Sequence, residues 1–409
     1  MTAYLLAAAV VVIAHDLVAV PEWLALHLLV LGAATNAVFV WSRFFAHALL
    51  HSRPGPERAA HVRLGVLNAG VAAVLAGVCG DVPTLAAAGA VVVVAVAAAH
   101  AVSLVATVRS SPLAGPLRIV AWYYVGAGAA LAVGGTLGGA LAAGWVGSAR
   151  VAGAFVLAHA EVNLLGWLGL AIIGTQFMLW PMVLRTRMSE DAPRAARRAL
   201  ILTAGGLAIT VTALLVTPWI SGLRWLAAAG MACYLAGAIT SLVPAVREMR
   251  AKPPRTAAAL AILAGSGWLI AALVADMAGL AVGPAAASDV LDRILIPVLG
   301  IGVIWQVLAG ALTFLLPVTV GGGPTGNRRL ATILERGWHA RAILGNCGVL
   351  GLVTLPGGWA RLAAWTAVLA GFGTFPALAM AALLAGWIRA ARPAPTRPSQ
   401  MLVSIISLA

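Results

Sequence analysis

Residues 157–187 read LAHAEVNLLGWLGLAIIGTQFMLWPMVLRTR, from Leu157 to Arg187. A helix rises about 1.5 Å per residue, so about 20 residues cross a hydrocarbon core roughly 30 Å thick. This stretch stays apolar for longer than that, yet it carries polar side chains at depth. His159 and Asn163, four positions apart, share one helix face, and Glu161 points away from them. Polar groups are costly in hydrocarbon and turn to a bundle interior, a cavity or a ligand. The fold must therefore enclose this helix, and the chemistry of the chain is sought along it.

The rest of the chain supplies the enclosure. Of its 409 residues 62% are hydrophobic and 9% charged, and mean hydropathy is +1.01. That is an all-α polytopic membrane protein with no sizeable soluble domain. The first apolar helix starts near Ala3 with neither a basic region ahead of it nor a small-residue cleavage site, so it is expected to be retained. Twelve spans are expected, at about 3–19, 23–49, 63–80, 84–107, 119–141, 152–184, 199–219, 224–245, 257–279, 291–318, 339–357 and 361–388. They form a single polytopic domain over 1–392, followed by a cytoplasmic tail, 393–409.

In a soluble protein a net charge of +14 would suggest nucleic acid. Here the charge sits in alternate loops: Arg53 and Arg58, then Arg185, Arg187, Arg194 and Arg197, then Arg247, Arg250, Lys252 and Arg255, then Arg328, Arg329 and Arg336. The opposite loops hold mainly Asp16, Glu22, Asp81, Asp289 and Asp292. By the positive-inside rule both termini are cytoplasmic, the partner is the lipid bilayer of the cytoplasmic membrane, and no nucleic-acid role is needed. The three cysteines, Cys79, Cys233 and Cys347, lie in different helices without a C-x-x-C pair, which excludes a disulfide framework and a thiolate metal cluster.

The chain also repeats itself. Arg63 opens RLGVLNAG, Arg198 opens RALILTAG and Arg341 opens RAILGNCG, each at the start of a third helix. SLVATVR at Ser103–Arg109 returns as SLVPAVR at Ser241–Arg247, and the spacing from Gly174 to Pro181 returns from Gly310 to Pro317. The period is four helices, which predicts a pseudo-threefold bundle of units at about 1–110, 111–255 and 256–392. An even number of helices per unit keeps every unit in one orientation, with the axis along the membrane normal.

Candidate site residues collect in the outer half. IAHDL places His15 near the outer surface; His27 lies about one turn inside the second helix, and His159 enters the sixth at similar depth. Imidazole ligates haem iron or copper, and the competing reading is a satisfied hydrogen bond inside the bundle, for instance between His159 and Asn163. A cofactor site of His27, His159 and Asn163, with His15 as a further metal ligand, is therefore one expectation. Glu161 and Asp276 are candidates for a proton or cation relay. Asn68, Thr203 and Asn346 recur at equivalent places, which favours packing within each unit.

The stretches HLLVLGAATNAVFVW, HAEVNLLGWLGLAIIGTQFMLWPMVLRTRM and QVLAGALTFLLPVTVGGGP resemble the polytopic membrane region of actinobacterial multicopper-oxidase or nitrite-reductase-like proteins. More distantly, twelve helices in three arcs resemble NnrS-type membrane proteins and subunit I of the haem-copper oxidases. The resemblance implies a haem- or copper-associated membrane redox module for respiratory or nitrogen-oxide metabolism, with a cupredoxin or other redox protein on its outer face. The chain departs from the oxidase pattern in its tenth helix, where Leu295 stands at the position matching His159, and in its seventh, which lacks paired histidines. The standard oxygen-reducing centre is therefore not expected. The alternatives are a transporter of copper or another small solute, and a non-catalytic scaffold for a redox partner. Reporter fusions after Arg194, Arg250 and Arg329 should be cytoplasmic and those near Gly222 and Pro284 external; an external signal from any of the first three would invert the assigned depth of the histidines.

Overall fold

A computed structural model of the chain describes residues 2–390 apart from 53–55, 112–114 and 116. The expected tail at 393–409 and Arg53 lie outside the described residues. Among those described there is no strand. The helices are α1 (Thr2–Ile13), α2 (Pro21–Leu49), α3 (Glu57–Cys79), α4 (Pro83–Arg109), α5 (Arg118–Ala142) and α6 (Ala149–Leu184). There follow α7 (Ala192–Val216), α8 (Ser221–Ala251), α9 (Ala257–Val282), α10 (284–320), a short unnumbered helix over Pro324–Leu334, α11 (Trp338–Thr354) and α12 (Trp359–Trp387). Among the described residues ten helices are long and apolar enough to cross a membrane. With 12 and 17 residues, α1 and α11 fall short of that length. The span expected over 3–19 stops early because the chain tightens into a 3-10 turn at His15–Leu17 before Pro21 starts the next helix.

Close contacts between neighbouring helices rest on glycine. A Cβ on Gly206 of α7 would stand 2.5 Å from the Gly230 carbonyl oxygen of α8, and one on Gly230 2.7 Å from the Gly206 oxygen. Gly89 of α4 faces the Gly70 oxygen of α3 in the same way at 2.7 Å, and Gly348 of α11 faces the Val368 nitrogen of α12 at 2.7 Å. Small residues at such crossings let backbones approach closely, which is how helices associate where lipid removes the hydrophobic driving force. Large apolar side chains such as Val91, Val102 and Ile201 are left on the outside.

Three helices depart from α-helical winding. Wider π-helical turns run over Leu28–Ala34 in α2, Val162–Gly169 in α6 and Val298–Trp305 in α10, starting 134 and 136 residues apart. Each contains a glycine, Gly32, Gly166 or Gly302, whose missing Cβ makes room for a side chain of the preceding helix: Tyr4, Ala130 and Trp268 respectively. Tyr4 donates to Asn68 at 2.8 Å and Trp268 to Asn346 at 2.7 Å. Asn68, Thr203 and Asn346 each donate to the carbonyl four residues back. Asn68 and Asn346 therefore tie helices together, whereas Thr203 bonds only within α7 and packs against Gly237 of α8.

A partly open apolar cavity of about 90 Å³ lies between α2, α6 and α10. Its lining on α2 is Ala34, Ala37, Val38, Trp41, Ser42 and Phe45. The six lining residues of α6 stand 134 positions further on, from Leu168 to Leu179, and the six of α10 another 136, from Ile304 to Leu315. Tyr124 of α5 completes the wall. One pair of offsets thus relates both the π turns and the cavity lining. That register puts His27 level with Glu161 and Pro297, and His159 level with Ala25 and Leu295. The two histidines are therefore not equivalent positions but two residues out of step.

The adjacent glycines of α7 test the packing. Gly206→Ala should lower stability by about 1–3 kcal/mol, the usual cost of overpacking. Gly205→Ala, which meets nothing within 4 Å, should be neutral or gain up to about 1 kcal/mol from helix propensity. Thermal unfolding in detergent reads both, and equal effects would remove the glycine argument.

Candidate functional site

His27 is the last residue before the π turn of α2, while Glu161 and Asn163 straddle the start of the π turn of α6. The site residues thus sit where helical winding changes. The structure brings His27 and His159 together: their ring centroids are 6.3 Å apart and their planes 17° from parallel. Trp23 stacks on His27 with centroids 4.0 Å apart, and His27 Nδ1 lies 2.8 Å from the Trp23 carbonyl oxygen. A carbonyl only accepts, so Nδ1 carries the proton and Nε2 keeps its lone pair.

His159 is held in the same tautomer by a partner on another helix. Its Nδ1 lies 2.9 Å from the Gly134 carbonyl oxygen of α5. Asn163 Nδ2 is 3.2 Å from the same Nδ1 and gives one of its two protons to the His159 carbonyl at 2.8 Å. The Gly134 carbonyl thus holds Nδ1, with Asn163 beside it. Gly134 and Gly138 make the space, since a Cβ on Gly134 would strike the Asn163 amide and one on Gly138 would stand 2.6 Å from His159 Cε1.

A backbone carbonyl on Nδ1 is the usual support for an imidazole that ligates metal through Nε2. Metal–imidazole bonds of about 2.0–2.1 Å set the nitrogens of a two-imidazole site about 4 Å apart. Rings with centroids 6.3 Å apart would reach that separation only if both Nε2 atoms faced the same ion. His27 and His159 are the side chains that would hold a copper or haem iron, which would supply one-electron chemistry there. The pair does not fit a closed tetrahedral site, because among the described residues no group of three or more His, Cys, Asp or Glu could hold a metal ion. His15 cannot be added to the pair, because its side chain lies outside the described residues.

The two carboxyl groups also meet. Glu161 of α6 and Asp276 of α9 are buried and lie close enough to interact. Two carboxyls hydrogen-bond only through a proton that one of them holds. Glu161 Oε2 and Asp276 Oδ2 find no other partner. Beside them Tyr234 of α8 donates to the Leu165 carbonyl at 2.8 Å.

His100 stands apart. It is buried against Phe39, ring centroids 4.4 Å apart, with its Nε2 2.9 Å from Ser42 Oγ. Sequence reasoning missed Trp23, Gly134 and Gly138. The GGTLGG run at 134–139 was the available signal, since clustered glycines on a membrane helix mark where something must approach.

Asp276→Asn should leave stability nearly unchanged, because an amide still donates to the Glu161 carboxylate. Asp276→Leu removes that donor and should cost about 1–3 kcal/mol, the penalty of a buried unsatisfied group. Thermal unfolding in detergent distinguishes them, and a stable leucine variant would mean that the carboxyls do not depend on each other. No protein-family model matches the chain, and no curated protein matches it.

Proposed function

We propose that the chain is a twelve-span protein of the cytoplasmic membrane, built of three four-helix units, that holds one copper or haem iron between His27 and His159 as a redox module for respiratory or nitrogen-oxide metabolism. One observation carries this reading: two imidazoles from different helices, 6.3 Å apart, each with Nδ1 tied to a backbone carbonyl. Copper or haem iron held there would supply one-electron chemistry.

The protein's own contribution is to orient and to enclose. Trp23 and the Gly134 carbonyl fix the rings, and the glycines of α5 fix the distance from α5 to α6. The twelve-span count is supported by the offsets shared by α2, α6 and α10, which leave three helices beside each of them. The positive-inside pattern puts the histidine pair in the outer half, within reach of a cupredoxin or other redox protein docking on that face.

The winding changes in α2, α6 and α10 favour a second reading, passage of copper or another small solute through the middle of the bundle. Purified protein expressed with copper and haem supplied separates the two. Under the redox reading it retains about one equivalent of copper or shows haem absorbance. His27→Ala and His159→Ala should each lose that signal, and Gly138→Val, which displaces His159, should lose most of it while the bundle stays folded. A wild-type protein that is colourless and metal-free would end the redox reading and leave the transport one.

A further inference from the structure

The cavity between α2, α6 and α10 is used by neither reading of the histidine pair. We propose that it is a binding site for one small, uncharged, apolar molecule in the size class of a dissolved gas.

The chemistry of the wall comes first. No charged side chain lines it. The polar side chains that do are already engaged: Tyr124 with Thr175 at 2.9 Å, Thr175 with the Ala171 carbonyl at 2.7 Å, Ser42 with His100 at 2.9 Å and Gln176 with Ser266 at 3.2 Å. An ordered water needs two to four polar partners, and an apolar cavity without them stays dry. A dry void forfeits dispersion contacts along its whole lining, and a molecule that fits recovers them.

Size narrows the ligand further. An apolar cavity of about 150 Å³ admits benzene or xenon. At about 90 Å³ this one is too small for a six-membered ring and large enough for a single atom or a diatomic molecule. Ring-bearing cofactors are excluded by the same comparison.

The cavity is also built, not left over. Protein interiors pack with few voids larger than a water molecule, and here three helices open one at the same six register positions. Small side chains keep it open at several levels: Ala37 and Ala171 share one level, and Ala311 with Thr175 faces Trp41 at another. Ala34, the outermost lining residue of α2, is seven residues beyond His27, or roughly 10 Å at helical rise. The cavity therefore lies inward of the histidine pair. The inference stands on the wall and its volume alone, and needs no metal.

Xenon is the probe. Crystals of the full chain pressurised with xenon should show one anomalous peak between α2, α6 and α10, and Ala171→Leu or Ala311→Leu should abolish it. Ala37→Gly, which enlarges the cavity without filling it, should keep the peak and covers the case in which a leucine variant does not fold. Wild-type crystals with no xenon there, with ordered water or a lipid chain in the space, or with a peak that survives filling, would overturn the proposal.

Discussion

Hydrocarbon offers no hydrogen-bond partner, and every backbone carbonyl released from α-helical winding must find one inside the protein. That constraint decides where the bundle is strained. The π turns of α2 and α6 shift backbone pairing, and side chains take up carbonyls there: Thr35 donates to Val30 at 2.9 Å, Asn36 to Gly32 at 2.8 Å and Tyr234 to Leu165 at 2.8 Å. Trp167 in the π turn of α6 donates to Thr35 at 3.0 Å, so one hydroxyl serves the winding of α2 and locks it to α6. The histidines are close because these two helices are pinned at the turns that follow them.

Much of the outline was legible in the sequence. Hydropathy located the long helices within a few residues, because about 20 apolar residues in a row have few other folds. The repeat was legible in part because two of its glycines sit at helix crossings: Gly70 against Val92 and Gly89 of α4, and Gly348 against Val368 of α12. The glycines at 174 and 310 have a related cause: a Cβ there would meet Tyr123 of α5 and the Ala258 carbonyl of α9.

What stayed hidden was set by contacts between distant segments. No local pattern marks a π turn, because it is chosen by partners such as Tyr234 that lie about 70 residues away in sequence. The support of His159 by Gly134 was invisible for the same reason, as a carbonyl has no sequence signature. Asn163, one helical turn from His159, was the nearest polar group along the chain and so the one to which the sequence could point.

The mismatch between the histidines follows from rotation itself. In a cyclic arrangement the face a helix shows to the next unit differs from the face it shows to the previous one. Helical residues advance by about 100° each, so two positions turn a side chain by about 200°, nearly to the opposite face. His27 and His159, two positions out of step, are therefore placed to meet across the gap between the first and second proposed units. Glu161 occupies the register position of His27 in the second proposed unit and should look toward the third, where it interacts with Asp276 of α9. The matching position in the third unit is Pro297, and the positions matching His159 are Ala25 and Leu295. In the proposed threefold arrangement three gaps would thus hold three different chemistries, one of which brings two imidazoles together.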